Sequence, residues 1–541
     1  MKKKIVIVGG GSSGWMVAAY LNGAINRNGN KPKVEIELIE SPDIPRISVG
    51  EATVLSIRHI LSVVGISEID FLKATDGSFK QSIKYVNWLR NDNSFYYHPF
   101  NRLNTGPIDT SVQQWLASDR SIPFVQTCSA QPDICELGLS PQMLGKWNMG
   151  APFSYAYHMN AQKFADLLRD LSVKRGVKHT LANVTQVNLK DNGHIQSVDL
   201  DIESSVTGDL FVDCTGFKAK LIDEALNVGW EDCSQWLLCD RAIAMHIPYE
   251  TYYPGMVRPY TTATALSNGW VWDIPMQNQR SIGYVHSSAF IDSEQAEREL
   301  RNYQGGDIDK LESRTIFFKV GRRHQVWKGN CIAVGLSGGF IEPLESTGLY
   351  LSDLGAVMLA QHFPQDESQM KAMAFRYNRI HSNKFYEILD FINMHYCLTQ
   401  RTDTEFWRTV QQEEHITDRL LAKFDFWKKK PPSPLDFEDQ AFLGLAQSNQ
   451  ASHLTGGDIR PSVDTAGIWD KSNYQYILYS MEFEKRYGAL PLENAPKTSR
   501  SPLILQRLAL AKERLPSHEQ WLQQKLGMQQ YVKIAVPNGW V

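Results

Sequence analysis

The sequence predicts an α/β protein with a Rossmann-like body, a central β-sheet and a mainly helical C-terminal region. Three observations lead there. Ile5 to Val8 form a short apolar run before glycines; "SSGWMVAAYLNGAI" then repeats Ala18, Leu21 and Ile25 at helical spacing, and "VEIELIE" alternates Val34, Ile36 and Leu38, which together read as strand, helix and strand. Residues 183 to 203 alternate apolar and polar on either side of "DNG", the pattern of a β-hairpin, and "GDLFVDCTG" follows as a further strand. From residue 345 the periodicity becomes helical, over 345–362, 370–399, 405–424 and 502–525.

A chain of 541 residues is longer than a single-core domain usually is. The pattern divides it into a body at 1–350 and a helical covering region at 351–541, with "KKKPPSP" (Lys428 to Pro434) as a solvated connector. Lys plus Arg total 56 against 59 Asp plus Glu, so neither nucleic acid nor an anionic membrane is expected as the main partner. The run after "MKKK" is too short for a signal peptide, and no stretch approaches the roughly 18 apolar residues of a membrane span, so the protein reads as cytoplasmic. Seven scattered cysteines without a CxxC pair indicate neither a disulfide framework nor a metal site, and read as buried small apolar residues.

"VIVGGGSSGW" carries Gly9, Gly11 and Gly14 in G-x-G-x-x-G spacing between strand and helix. Gly9 permits the tight turn, Gly11 lets the backbone approach a pyrophosphate, and Gly14 lets helix and strand pack, while the helix N-terminus offers free N–H donors. Glu40 ends the next strand, where a carboxylate suits the hydroxyls of an adenosine ribose and disfavours a 2'-phosphate. "VDCTGF", with Asp213 and Gly216, and "CIAVGLSGGFIEP" add two more strand–glycine turns. This three-part layout resembles FAD-dependent monooxygenases of the glutathione-reductase type, which favours FAD over NAD.

Further stretches narrow the resemblance. "GGGSSGW", "IPRISVGEAT" (Ile44 to Thr53), "GSFKQSIKYVNW" (Gly77 to Trp88), "GWVWDIP" (Gly269 to Pro275), "FIEPLESTGLY" (Phe340 to Tyr350) and "HYCLTQRTDTEFW" (His395 to Trp407) together resemble the flavin-dependent tryptophan halogenase family. The resemblance implies an enzyme in which reduced FAD (FADH2) and O2 oxidise chloride or bromide to hypohalous acid, with a separate flavin reductase supplying the FADH2 and with a homodimeric state. It implies that Trp270, Trp272, Ile274 and Pro275 form a barrier of bulky side chains keeping the organic substrate from the flavin. Lys80 matches the family's essential lysine, and Glu345 its second catalytic residue. Thr347 and Gly348 match the halide-binding pair, although Ser346 or Thr347 also suits a plain helix cap. Ser13, Val184, Leu336 and Leu349 fall where the family contacts flavin.

Lys73 and Lys84 near Lys80 read as solvated surface charges. With a reference pKa near 10.4, only about one lysine in 2,500 is neutral at pH 7, so Lys80 is expected to act as an ammonium that hydrogen-bonds hypohalous acid; a haloamine route would require burial to depress it. Glu345 favours the ammonium and suits acceptance of the ring proton. "YYHPF" supplies His98 and Phe100, which resemble the family's pair sandwiching an indole. In the C-terminal half the likeness weakens: "WDKSNYQYILYSMEFEKRYG" separates Tyr474 from Tyr476 and leaves Glu482 and Glu484 unassigned, so free tryptophan as substrate stays open. Two alternatives also stay open, a single-component FAD aromatic hydroxylase and a catalytically silent flavin-binding protein.

Overall fold

The computed structural model describes residues 3–27, 33–46, 49–100, 110–145, 153–306, 308–433, 436, 468–486 and 495–534. Of the stretches singled out above, Met1, Lys2, Ile47, Ser48, Pro434, Tyr487 and Gly488 lie outside the described residues.

Strand Lys3–Val8 lies at the centre of a six-stranded sheet, flanked in parallel by Val34–Glu40 and Leu210–Asp213. Lys178–Leu181 and Cys331–Ala333 extend it in parallel on either side, and the short Trp327–Lys328 closes one edge antiparallel. Strands that are nearly continuous in Val, Ile and Leu suit a sheet covered on both faces. Helix Ser12–Leu21 follows the first strand, and its residues from Gly14 onward are buried. The hairpin at 183–203 appears as Val184–Leu189 and Ile195–Leu200, paired antiparallel.

A second, seven-stranded sheet runs in the order Ser313–Phe317, Arg241–Pro248, Gln279–His286, Gly269–Pro275, Thr261–Ala265, Ser82–Val86, Phe95–Pro99. A three-stranded sheet of Gly50–Ala52, Ala156–Asn160 and Ser78–Lys80 carries Lys80 at a strand end. The fold class is the one the sequence predicts.

Helices Gly348–Gln361 and Glu367–Cys397 follow. The expected single helix over 405–424 is instead Glu405–Thr409 and Asp418–Trp427, because Thr404 and Thr417 each cap a new start by accepting a backbone N–H. The expected helix over 502–525 breaks into Pro502–Arg514 and His518–Leu526. Pro516 cannot continue the first, and Ser517 begins the second with a reciprocal capping box. All seven cysteines are free thiols, six of them buried. No described helix is long and apolar enough to cross a membrane.

Candidate active site

Three parallel strands end in glycine turns on one side of the six-stranded sheet. Gly9, Gly216 and Gly335 adopt φ of +114°, +68° and +75°, which side-chain-bearing residues rarely take, and all three border one cavity of about 640 Å³. Ligand sites of open α/β sheets lie at such strand ends. Gly11, Ser13, Glu40, Val184, Leu336 and Leu349 line the same cavity. Gly14 does not; a Cβ there would lie 1.9 Å from Gly9 O, so it serves close packing.

Helix Ser12–Leu21 starts at Gly11 with no side-chain cap, leaving its first-turn N–H groups available. A Cβ on Gly11 would meet no atom within 4 Å, so the space before the loop is open cavity. Glu40 Oε1 accepts from Arg46 Nη2 at 2.6 Å and Oε2 pairs with His179 Nε2 at 3.0 Å. Arg46 Nε also donates to Oε1, at 2.9 Å, so with two lone-pair directions per oxygen the remaining acceptor capacity lies on Oε2. A dinucleotide fits this cradle.

Strand Gly269–Pro275 forms one wall. Its period of two sends Trp270, Trp272 and Ile274 to the cavity side, whereas Val271 packs in a separate core on the opposite face. Trp272 lies over Gly283 of the next strand, where a Cβ would come within 2.1 Å of the indole. Pro275 is not in the lining; its carbonyl accepts from Ser78 Oγ at 2.6 Å, tying the strand to the one that carries Lys80. Behind Trp270, aromatic rings continue through Trp88 (6.5 Å) and Tyr85 (5.7 Å further) to His395 (4.7 Å).

Lys80 lies outside the cavity lining and is fully buried, at 0% exposure. Its Nζ donates to Thr53 O at 3.0 Å and to Ser346 Oγ at 2.7 Å, and sits 5.3 Å from the Phe100 ring centre. Ser346 does line the cavity, so one residue separates the amine from that space. Ser346 holds φ of +62°, a left-handed conformation that turns the chain sharply before helix Gly348–Gln361. Neighbouring Thr347 begins the helix without a side-chain cap, and Gly348 is open to the cavity. The capping reading of Ser346 and Thr347 therefore gives way: Ser346 accepts from the lysine.

Burial pushes the Lys80 ammonium from 10.5 down to about 7, with Glu345 opposing the shift. The burial that the sequence reading set as the condition for a neutral amine is thus met, and both forms are populated near neutrality. Lys84, expected at the surface, is instead 7% exposed, paired with Glu136 at 2.7 Å and set over the Phe95 ring. Strand Ser82–Val86 lies second from the edge of its sheet and turns Lys84 toward that acid. Lys73 is exposed as expected.

Glu345 faces away from the cavity, 3% exposed, among donors from three other segments. Tyr85 donates its hydroxyl at 2.6 Å, His98 Nδ1 lies 2.9 Å away, and His395 Nε2 lies 2.9 Å away. Burial alone would raise this carboxyl, but the interaction with His98 and the hydrogen bonds from His395 and His98 hold it well below the usual carboxylate range. His98 is buried on strand Phe95–Pro99. Phe100, just beyond that strand, is half-buried. Tyr85, His395 and Thr53 escaped assignment, and Ser346 had only the capping reading, although all four stand inside the motifs named above. Glu51, in "VGEAT", also lines the cavity, and burial pushes its carboxyl up to about 7.

A cavity at parallel strand ends, sharing the Ser346 wall with a buried cluster of Lys80, Glu345 and two histidines, suits an oxidoreductase that holds a dinucleotide. A family model described as tryptophan halogenase matches residues 4–491. Tryptophan 7-halogenase RebH of Lentzea aerocolonigenes is 32% identical over 549 residues, covering 97% of this chain and 99% of its own. Tryptophan 6-halogenase ThaL of Streptomyces albogriseolus is 34% identical over 526 residues, covering 92% and 97%. The crystal structure of a tryptophan halogenase from Shewanella frigidimarina superposes with a TM-score of 0.83 at 31% identity, covering 97% of this chain and 98% of that one. The chain belongs to the tryptophan halogenase family, whose members are flavin-dependent halogenases.

Proposed function

We propose that this enzyme forms hypohalous acid in the cavity and directs it through the Ser346 wall to Lys80, where it halogenates an indole or tryptophan-like arene. The observation that carries this reading is the position of Lys80: wholly buried, bonded to a residue of the cavity wall, yet near the Phe100 ring and under the charge of Glu345, neither of which lines the cavity. Gly9, Gly11, Ser13, Glu40, Val184, Leu336 and Leu349 would hold FAD. When bound and reduced, flavin with O2 supplies the oxidising power that converts halide to hypohalous acid. Thr347 and Gly348, at a helix start open to the cavity and without a side-chain cap, provide a hydroxyl and first-turn N–H groups for the halide.

Trp270, Trp272, Ile274 and the proline-ended strand keep an arene out of the flavin chamber, a role that their bulk, rigidity and burial along the cavity wall support. As an ammonium, Lys80 spends two N–H groups on Thr53 O and Ser346 Oγ and keeps a third for the oxygen of hypohalous acid. The halogen passes to a ring carbon, the oxygen leaves as water with the proton from Lys80, and Glu345 accepts the ring proton. A carboxylate of depressed basicity suffices for that last step, since a protonated arene is a far stronger acid than any carboxylic acid. His98 and Phe100 flank the arene. A separate reductase supplies the reduced flavin. The two relatives named above are labelled for different ring positions at similar identity, so position is set by the arene pocket rather than by the shared machinery.

The test is mass spectrometry of reactions containing FAD, a flavin reductase, bromide and a panel of indoles. A product with the bromine isotope doublet supports the reading. Hydroxylated product formed with NAD(P)H and no added reductase would replace it with a single-component hydroxylase, and no turnover across the panel would replace it with a silent flavoprotein.

A further inference from the structure

Asn473 belongs to the C-terminal helical region, where the family likeness was weakest, and it reaches the catalytic carboxylate through one intermediary. It occupies the third position of helix Lys471–Ser480, within a reciprocal capping box: the Asp470 side chain accepts from the Asn473 backbone N–H, and Asn473 Oδ1 accepts from Asp470 N at 2.9 Å. That bond commits the amide oxygen and settles which way the amide faces. The Nδ2 group therefore points outward, 2.9 Å from His98 Nε2. An amide NH2 only donates, so His98 Nε2 must accept and cannot carry hydrogen. The ring proton then sits on Nδ1, which lies 3.0 and 2.9 Å from the two oxygens of Glu345.

We infer that Asn473 is a positioning residue: it holds His98 with hydrogen on Nδ1 and so secures one of the donors that keep Glu345 a carboxylate. The titratable groups around this relay are Glu345 on one side of His98, with His395, Tyr85 and Lys80 facing that carboxylate in turn. Phe391 and Tyr476 pack against the imidazole ring and contribute no charge. Closing the helix cap and setting the proton that faces Glu345 are thus one event. The role given to Glu345 rests on the function proposed above; the tautomer does not.

The test uses the full-length protein labelled with 15N-histidine and correlation spectra that report which ring nitrogens carry hydrogen, His98 being assigned by its loss in His98→Gln. Wild type is expected to show His98 with Nδ1 protonated and Nε2 bare near neutral pH. Asn473→Asp keeps an acceptor for the cap but presents oxygen to Nε2, so His98 is expected to gain a second proton and lose the bare-nitrogen signal. Asn473→Leu removes the donor, and His98 is expected to populate both tautomers. In bromination assays Asn473→Asp is expected to acquire an additional ionisation in its pH–rate profile while binding FAD unchanged. A wild-type His98 protonated at Nε2, or an Asn473→Asp protein with an unaltered His98 spectrum, overturns the inference. Absence of bromination by wild type would overturn the proposed function and leave the spectral result standing.

Discussion

Replacing Lys80 with methionine preserves an unbranched side chain of similar length while removing the only titrating group at that position. Unfolding returns the amine from about 7 to its ordinary 10.5, so between those values the unfolded chain binds more protons than the folded one. Wild-type stability attributable to this group therefore rises with pH across that window. The full penalty is present below pH 7 and absent above 10.5. At 1.36 kcal/mol per pH unit the whole span is worth about 5 kcal/mol. Methionine also leaves Thr53 O and Ser346 Oγ without their donor, at a cost of about 1–3 kcal/mol each. That loss does not vary with pH, so the slope of the difference isolates the amine. Urea unfolding of both proteins in matched buffers from neutral to alkaline pH is expected to show wild type gaining on Lys80→Met by about 1.4 kcal/mol per pH unit. A difference that stays constant with pH would mean that the amine keeps its ordinary affinity for protons, and the buried-lysine argument would fall.

Trp272→Ala is expected to cost about 3–5 kcal/mol of stability and to divert turnover from halogenated to hydroxylated arene, both forms being read by mass spectrometry; an unchanged product ratio would deny the strand its barrier role. Glu345→Gln sets an NH2 among three donors and removes the proposed base, so bromination should fall by about 10²- to 10⁴-fold while FAD affinity, followed by flavin fluorescence, stays the same. Gly9→Ala and Gly11→Ala separate fold from cofactor. The first would push a Cβ to 2.2 Å from Cys214 O at a φ of +114° and should prevent soluble folding, whereas the second meets no protein atom within 4 Å and should keep its melting temperature while losing more than about tenfold in FAD affinity.

What was legible in the sequence was local or periodic. The strand–glycine–helix turn of Gly9 to Gly14 declares itself within ten residues, whereas Trp270, Trp272 and Ile274 were singled out through the family motif, and the strand's alternation of two then accounts for their shared face. Lys80 was legible only through the family motif, since one lysine in "SFKQ" looks no different from Lys84 in "SIKY". Their environments depend on distant partners, Ser346 for one and Glu136 for the other. The donors around Glu345 come from residues 85, 98 and 395, a convergence that no window of sequence displays. Helix breaks at Thr417 and Pro516 carried readable signals, a capping threonine and a proline, which the helical periodicity on either side outweighed. Asn473 was the least legible residue, because its partner lies 375 residues away and its amide orientation is set by a cap that exists only once the helix forms.

The measurement that bears most directly on the two-chamber account is made with Lys80→Ala, supplied with FAD, a reductase, bromide and an indole. Oxygen consumption should continue and FAD should still bind, while brominated indole disappears. Bromination persisting at anything near the wild-type rate would contradict the account, since halogen would then be reaching the arene without the amine.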